Sequence, residues 1–92
     1  MDNFENIIRM EKILEDAQKA VDFKDFEKLK SMSDEINELI NYYESDSWLS
    51  DFEADEAGLI PKDLKRGVLS EDEIYNLILD LEEFNFKIKT RD

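Results

Sequence analysis

An all-α fold, a small antiparallel three-helix bundle, is predicted by three observations in the sequence. First, three segments repeat one hydrophobic spacing of three and four residues: Ile7, Met10, Leu14, Ala17, Val21, then Leu29, Met32, Ile36, Leu39, Tyr43, then Ile74, Leu77, Leu81, Phe84, Ile88. Such a seam belongs to helices packed at a shallow angle. Second, both glycines and the only proline are confined to the stretch from Gly58 to Gly67, so chain-breaking residues interrupt the pattern in one place. Third, Ser70 and Glu73 form the S-x-x-E pattern of a helix start just before the third seam.

Each seam lasts about two heptads, short of the three or four that argue for a free coiled coil. A compact bundle is therefore expected, with the whole chain, residues 1–92, as one domain. Asp22 and Asp25 bracket the turn between the first two helices, and either can cap the second. In the third helix, Ser70 is the expected cap and Leu69 the residue that staples onto Ile74. Asp72 and Glu73 suit the positive N-terminus of that helix.

The third helix carries a second apolar stripe. Tyr75, Leu79 and Phe86 lie roughly 100–140° around from the seam, at about 100° per residue. They are covered either by segment 48–69 or by another copy of the chain. The first is preferred, because a small domain needs every apolar surface for its own core. A homodimer through Tyr75, Leu79 and Phe86 is the other reading.

One or two short helical pieces are expected between helices 2 and 3. Ser47 is read as the cap of the first, with Trp48, Leu49 and Phe52 facing inward. Gly58 ends it, with Leu59 or Ile60 folding back as the accompanying apolar contact. Pro61 suits the first position of one more helical turn, which Gly67 closes.

Composition narrows the chemistry. Without cysteine there are no disulfides or thiolate sites, and without histidine the commonest general base and transition-metal ligand are missing. The start of the chain has no basic segment followed by an apolar run, so no secretory signal is expected, and no segment is apolar enough to span a membrane. The cytoplasm is the expected location. Acids outnumber bases by 25 to 12, a net charge of −13. Direct nucleic-acid binding and attachment to an anionic membrane both need a basic footprint, so neither is expected. The charge confers solubility, or in a sharper reading makes the chain an acidic mimic of nucleic acid.

The irregular stretch holds the candidate binding residues. Asp51, Glu53, Asp55 and Glu56 belong to a run of acids, and Lys62, Lys65 and Arg66 follow it. These clusters either pair internally, or form a recognition surface with Trp48 or Tyr75 as aromatic anchor. Asp51, Glu53 and Asp55 match positions 1, 3 and 5 of a calcium loop. Glu56 and Lys62 stand where glycine and glutamate are required, so the motif fails. A weak Mg²⁺ or Ca²⁺ site among these carboxylates is a further alternative, although no metal ligand is assigned. No phosphate-cradling glycine loop, nucleophile elbow or Ser/Lys motif is present, and a thin bundle offers little volume for a pocket that would set paired carboxylates to acid–base work, so neither enzymatic activity nor a cofactor is expected.

The stretch YYESDSWLSDFEADEAGLIPKDLKRGVLSEDEIYNLI, Tyr42 to Ile78, resembles the signature region of the bacterial domain of unknown function 4298 family. Arg9, Met10 and Glu11 are similar to the opening helix of that family. The resemblance covers nearly the whole chain and is most specific from Trp48 to Leu77. It implies a cytoplasmic bacterial protein, and brings no activity, cofactor, partner or catalytic residue with it. The function expected from the residues is a protein–protein interaction module that uses the 44–66 connection.

Overall fold

The computed structural model describes residues 4–83, whose regular structure is helical with no strand among them. Helix α1, Glu5–Asp22, is the central element, touching α2, α3, α5 and a 3₁₀ turn. Its expected seam is buried throughout, with Ile13 and Ala20 added to it. Ala17 and Ala20 leave room for neighbouring helices to approach closely.

The turn after α1 is a Schellman motif. Asp25 N–H reaches Ala20 O at 2.8 Å and Lys24 N–H reaches Val21 O at 3.0 Å. Lys24 occupies the left-handed position of this motif, with φ 55°. Of the two aspartates at this turn, Asp25 is the cap: its carboxylate accepts Lys28 N–H at 3.1 Å. Asp22 instead accepts from the Gln18 side chain at 3.2 Å.

The second long helix of the sequence reading is two helices, α2 (Phe26–Ser31) and α3 (Ser33–Tyr43), joined at Met32. Serines flank that joint, and the Ser31 hydroxyl donates to Lys28 O at 2.7 Å. Serine hydroxyls compete in this way with the backbone ladder, and often bend helices. Met32 itself stays buried, so the apolar seam runs through the break. At its end Tyr42 is buried, while Tyr43 is only half-buried.

Helix α4 spans Asp46–Glu56 and packs on α3 and on the 3₁₀ turn. Its cap is Ser45 rather than Ser47. The Ser45 hydroxyl accepts Trp48 N–H at 3.4 Å and donates to Tyr42 O at 2.6 Å. With the start two residues earlier, Trp48 and Phe52 lie inward at i, i+4, and Leu49 is exposed rather than inward-facing.

Gly58 ends α4 as expected, with φ 76°. Leu59 N–H bonds to Ala54 O at 2.9 Å and Gly58 N–H to Asp55 O at 3.0 Å, a second Schellman motif. Of the two residues expected to fold back, Ile60 enters the core and Leu59 stays in solvent. Pro61 opens a single turn, closed by Leu64 N–H to Pro61 O at 3.1 Å, which does not extend into a helix. The 3₁₀ turn is Gly67–Leu69, so Gly67 begins a helical piece instead of ending one.

Helix α5 is Glu71–Glu83, with Ile74, Leu77 and Leu81 fully buried. Ser70 stands at the expected N-cap position in extended conformation. The reciprocal half of the predicted box is replaced: Ser70 N–H bonds to Gly67 O at 2.9 Å, and the Glu73 carboxylate lies against Gly67. Leu69 and Ile74 share the core as the staple requires. Phe84, Phe86 and Ile88 lie outside the described residues. Tyr75 and Leu79 are 57% and 43% exposed, so segment 48–69 leaves these two residues of the second stripe uncovered. That segment is drawn to the α3 side by Trp48 and Phe52.

Candidate functional site

The residues singled out in the connection divide into two groups. Trp48 is a core residue, only 7% exposed. Its indole N–H donates to Val68 O at 2.9 Å. Its ring meets Tyr43 edge-on at 5.0 Å and stacks on Phe52 at 5.2 Å. Aromatic contacts plus a satisfied indole make it a fastener between α4 and the 3₁₀ turn, and leave no free face to act as a surface anchor.

Asp51 also works inward, accepting the Tyr42 hydroxyl at 2.5 Å. Burial first, then that bond, pushes the Tyr42 phenol up from its ordinary value. Arg66 pairs with Asp55 at 3.2 Å and makes longer bonds to Ile60 O and Pro61 O. The acidic run and the basic run are therefore joined internally through this pair. Lys65 reaches Glu15 on α1 at 3.3 Å, in an exposed pair.

Glu53, Glu56 and Lys62 are exposed, and their side chains make no ion pair or hydrogen bond among the described residues. Leu59, 70% exposed, stands between Glu56 and Lys62 in the chain, and these exposed residues are the outer edge of the connection in that sense alone. The Asp51, Glu53 and Asp55 carboxylates do not converge. Among the described residues no group of three or more acidic side chains is arranged to hold a metal ion.

A polar centre that the sequence reading did not single out lies under the 3₁₀ turn. Glu11 is 9% exposed, and its Oε1 accepts Val68 N–H at 2.7 Å. Val68 is thus held by both backbone groups: its N–H by Glu11 from α1, and its C=O by Trp48 from α4. Glu15 and Glu73 face the same carboxylate, and a Cβ on Gly67 would stand 2.9 Å from Glu73 Oε1 and 3.2 Å from Glu11 Oε2. A side chain at this position would push the Glu73 carboxylate aside and press on that of Glu11. Burial raises the Glu11 carboxyl above its ordinary value. The Val68 N–H opposes that shift, and Glu15 and Glu73 reinforce it. A signal existed in the sequence: Glu11 is four residues after Ile7 and three before Leu14, an inward position in the first seam.

Two other features complete the surface. Arg9 clamps Glu38 on α3 with both terminal guanidinium nitrogens, and this bond holds the Glu38 carboxyl below its ordinary value. An open groove of about 640 Å³ runs between α1 and α5, lined by Leu14, Glu15, Lys19, Lys65, Glu73 and Asp80 among others. Among the described residues no helix is long and apolar enough to cross a membrane.

No curated protein and no solved structure matches the chain. A family model does, over residues 7–89, spanning every element from α1 to α5 and the connection between them. The chain belongs to the family described as Domain of unknown function (DUF4298).

Proposed function

We propose that this chain is a non-enzymatic protein–protein interaction module that binds through the outer edge of its 44–66 connection. The observation that carries the reading is Leu59, which is 70% exposed while its own N–H is pinned to Ala54 O at 2.9 Å. An apolar side chain held out on a fixed corner loses little freedom on binding, which favours recognition. Glu53, Glu56 and Lys62 surround it in the sequence with charges of both signs, a suitable polar rim. The partner this edge fits is a protein with an apolar recess bordered by mixed charge. The inward-facing members of the connection, Trp48, Asp51, Asp55 and Arg66, support the edge and do not touch the partner.

The test is affinity capture from the native host with the wild type and with a Leu59→Asp, Glu56→Lys variant that retains its circular dichroism spectrum. A protein held by the wild type and lost by the variant supports this edge. Identical captures from both would overturn it. A nucleic-acid-binding protein held equally by both, and only at low salt, would favour the acidic mimic instead.

A further inference from the structure

We propose that the outer face of α5 is a second docking surface, and that it takes a cationic amphipathic helix of a partner protein. Tyr75 and Leu79 stand one turn apart on this face, 57% and 43% exposed, opposite the buried Ile74, Leu77 and Leu81. At about 100° per residue, Glu71 and Asp72 before the pair and Glu82 and Glu83 after it fall within about 80° of Tyr75. All four are exposed, and none forms an ion pair among the described residues. The helix as a whole contains six acids and no base.

An apolar pair framed by acids at both ends selects its partner by charge. A second copy of the same face would bring Glu71 and Asp72 against Glu82 and Glu83 in an antiparallel pairing, and like against like in a parallel one. Either arrangement opposes association. A nucleic acid or an anionic membrane is repelled for the same reason. A helix with apolar residues spaced three and four apart and flanked by Lys or Arg satisfies both the pair and its frame. The phenol of Tyr75 suits the margin of such a contact, apolar along the ring and polar at its tip. This face is on a different element from Leu59, so the two surfaces are separable.

The experiment is fluorescence anisotropy with the full chain and a labelled Leu/Lys peptide whose leucines share one helical face. The control is a peptide of the same composition with the leucines scattered. The patterned peptide is expected to bind more tightly, with Leu79→Asp or Tyr75→Ala weakening it about tenfold and Leu59→Asp leaving it unchanged. Should Leu79→Asp disturb folding, reversing the exposed Glu82 and Glu83 to Lys gives the same loss from a folded chain. Equal binding of the two peptides, or full binding to these variants, would overturn the proposal. So would a wild-type dimer in sedimentation that Leu79→Asp dissolves, which would assign the face to a second copy. A roughly tenfold gain in affinity on replacing Lys87, Lys89 and Arg91 with Gln would overturn it in favour of the chain's own C-terminal residues.

Discussion

The Glu11 carboxylate accepts a 2.7 Å hydrogen bond from the backbone N–H of Val68, 57 residues further along the chain. This bond ties the first helix to the turn that precedes the last. Removing the acceptor would leave the buried Val68 N–H unsatisfied, which costs about 1–3 kcal/mol. Glu11→Ala should therefore lower the melting temperature by several degrees, at about 4–8 °C per kcal/mol for a domain of this size. Glu11→Gln keeps an acceptor for Val68 and offers donors to Glu15 and Glu73, so its melting temperature should equal or exceed the wild type at neutral pH. Equal losses in both variants would show that the bond itself is not what matters.

The same centre sets a pH dependence. The folded value of Glu11 is raised, by burial first and by Glu15 and Glu73 after the opposing Val68 bond. Stability from a raised acid is fully present below its ordinary value and is lost as pH rises through the folded value. Glu38 runs the other way, because Arg9 lowers it: its contribution is present above the ordinary range and lost as pH falls through the lowered value. Because only the folded value of Glu11 is raised, its effect falls above the ordinary glutamate range. Urea midpoints should thus rise as pH falls across that window, with a smaller rise in Glu11→Gln. The same slope in both proteins would remove Glu11 as the cause.

Trp48 gives a direct optical check, since it is the only tryptophan in the chain. Buried among Tyr43 and Phe52, it should emit at short wavelength and resist acrylamide quenching until the protein unfolds. Trp48→Phe keeps a ring in place but removes the donor to Val68 O, with an expected cost of about 1–2 kcal/mol. Trp48→Ala also empties the site, at about 3–5 kcal/mol. Free quenching in the native state would contradict this placement.

The apolar seams were legible because burial follows helical period: from Ile7 to Val21 and from Ile74 to Leu81 the expected positions are the buried ones. The break at Met32 was hidden, since its apolar side chain keeps the period while the flanking serines disturb only the backbone. Glu11 escaped notice because polarity normally assigns a glutamate to the surface, and only a backbone donor 57 residues away makes its inward position tolerable. In the connection, Gly58 marked its turn correctly. The choice between Leu59 and Ile60, and the cap at Ser45 in place of the expected Ser47, depended on where Trp48 anchors, which is a tertiary fact. The two charge clusters meet through Arg66 and Asp55, and proximity in sequence did not identify that pair.

The two Schellman corners make a reciprocal test of backbone strain. Gly58 with φ 76° ends α4, whereas Lys24 with φ 55° occupies the equivalent position after α1. A side chain in the left-handed region costs roughly 1–2 kcal/mol, partly offset by the greater freedom that glycine loses on folding. Gly58→Ala meets no neighbouring atom within 4 Å, so its penalty is conformational alone. It should destabilise by about 1 kcal/mol. Lys24→Gly should stabilise by roughly 0.5–1 kcal/mol, because Lys24 forms no ion pair among the described residues that would be lost. Urea unfolding of both variants reads the two signs. If Lys24→Gly proved destabilising, the left-handed geometry at that corner would be wrong, whatever the result at Gly58.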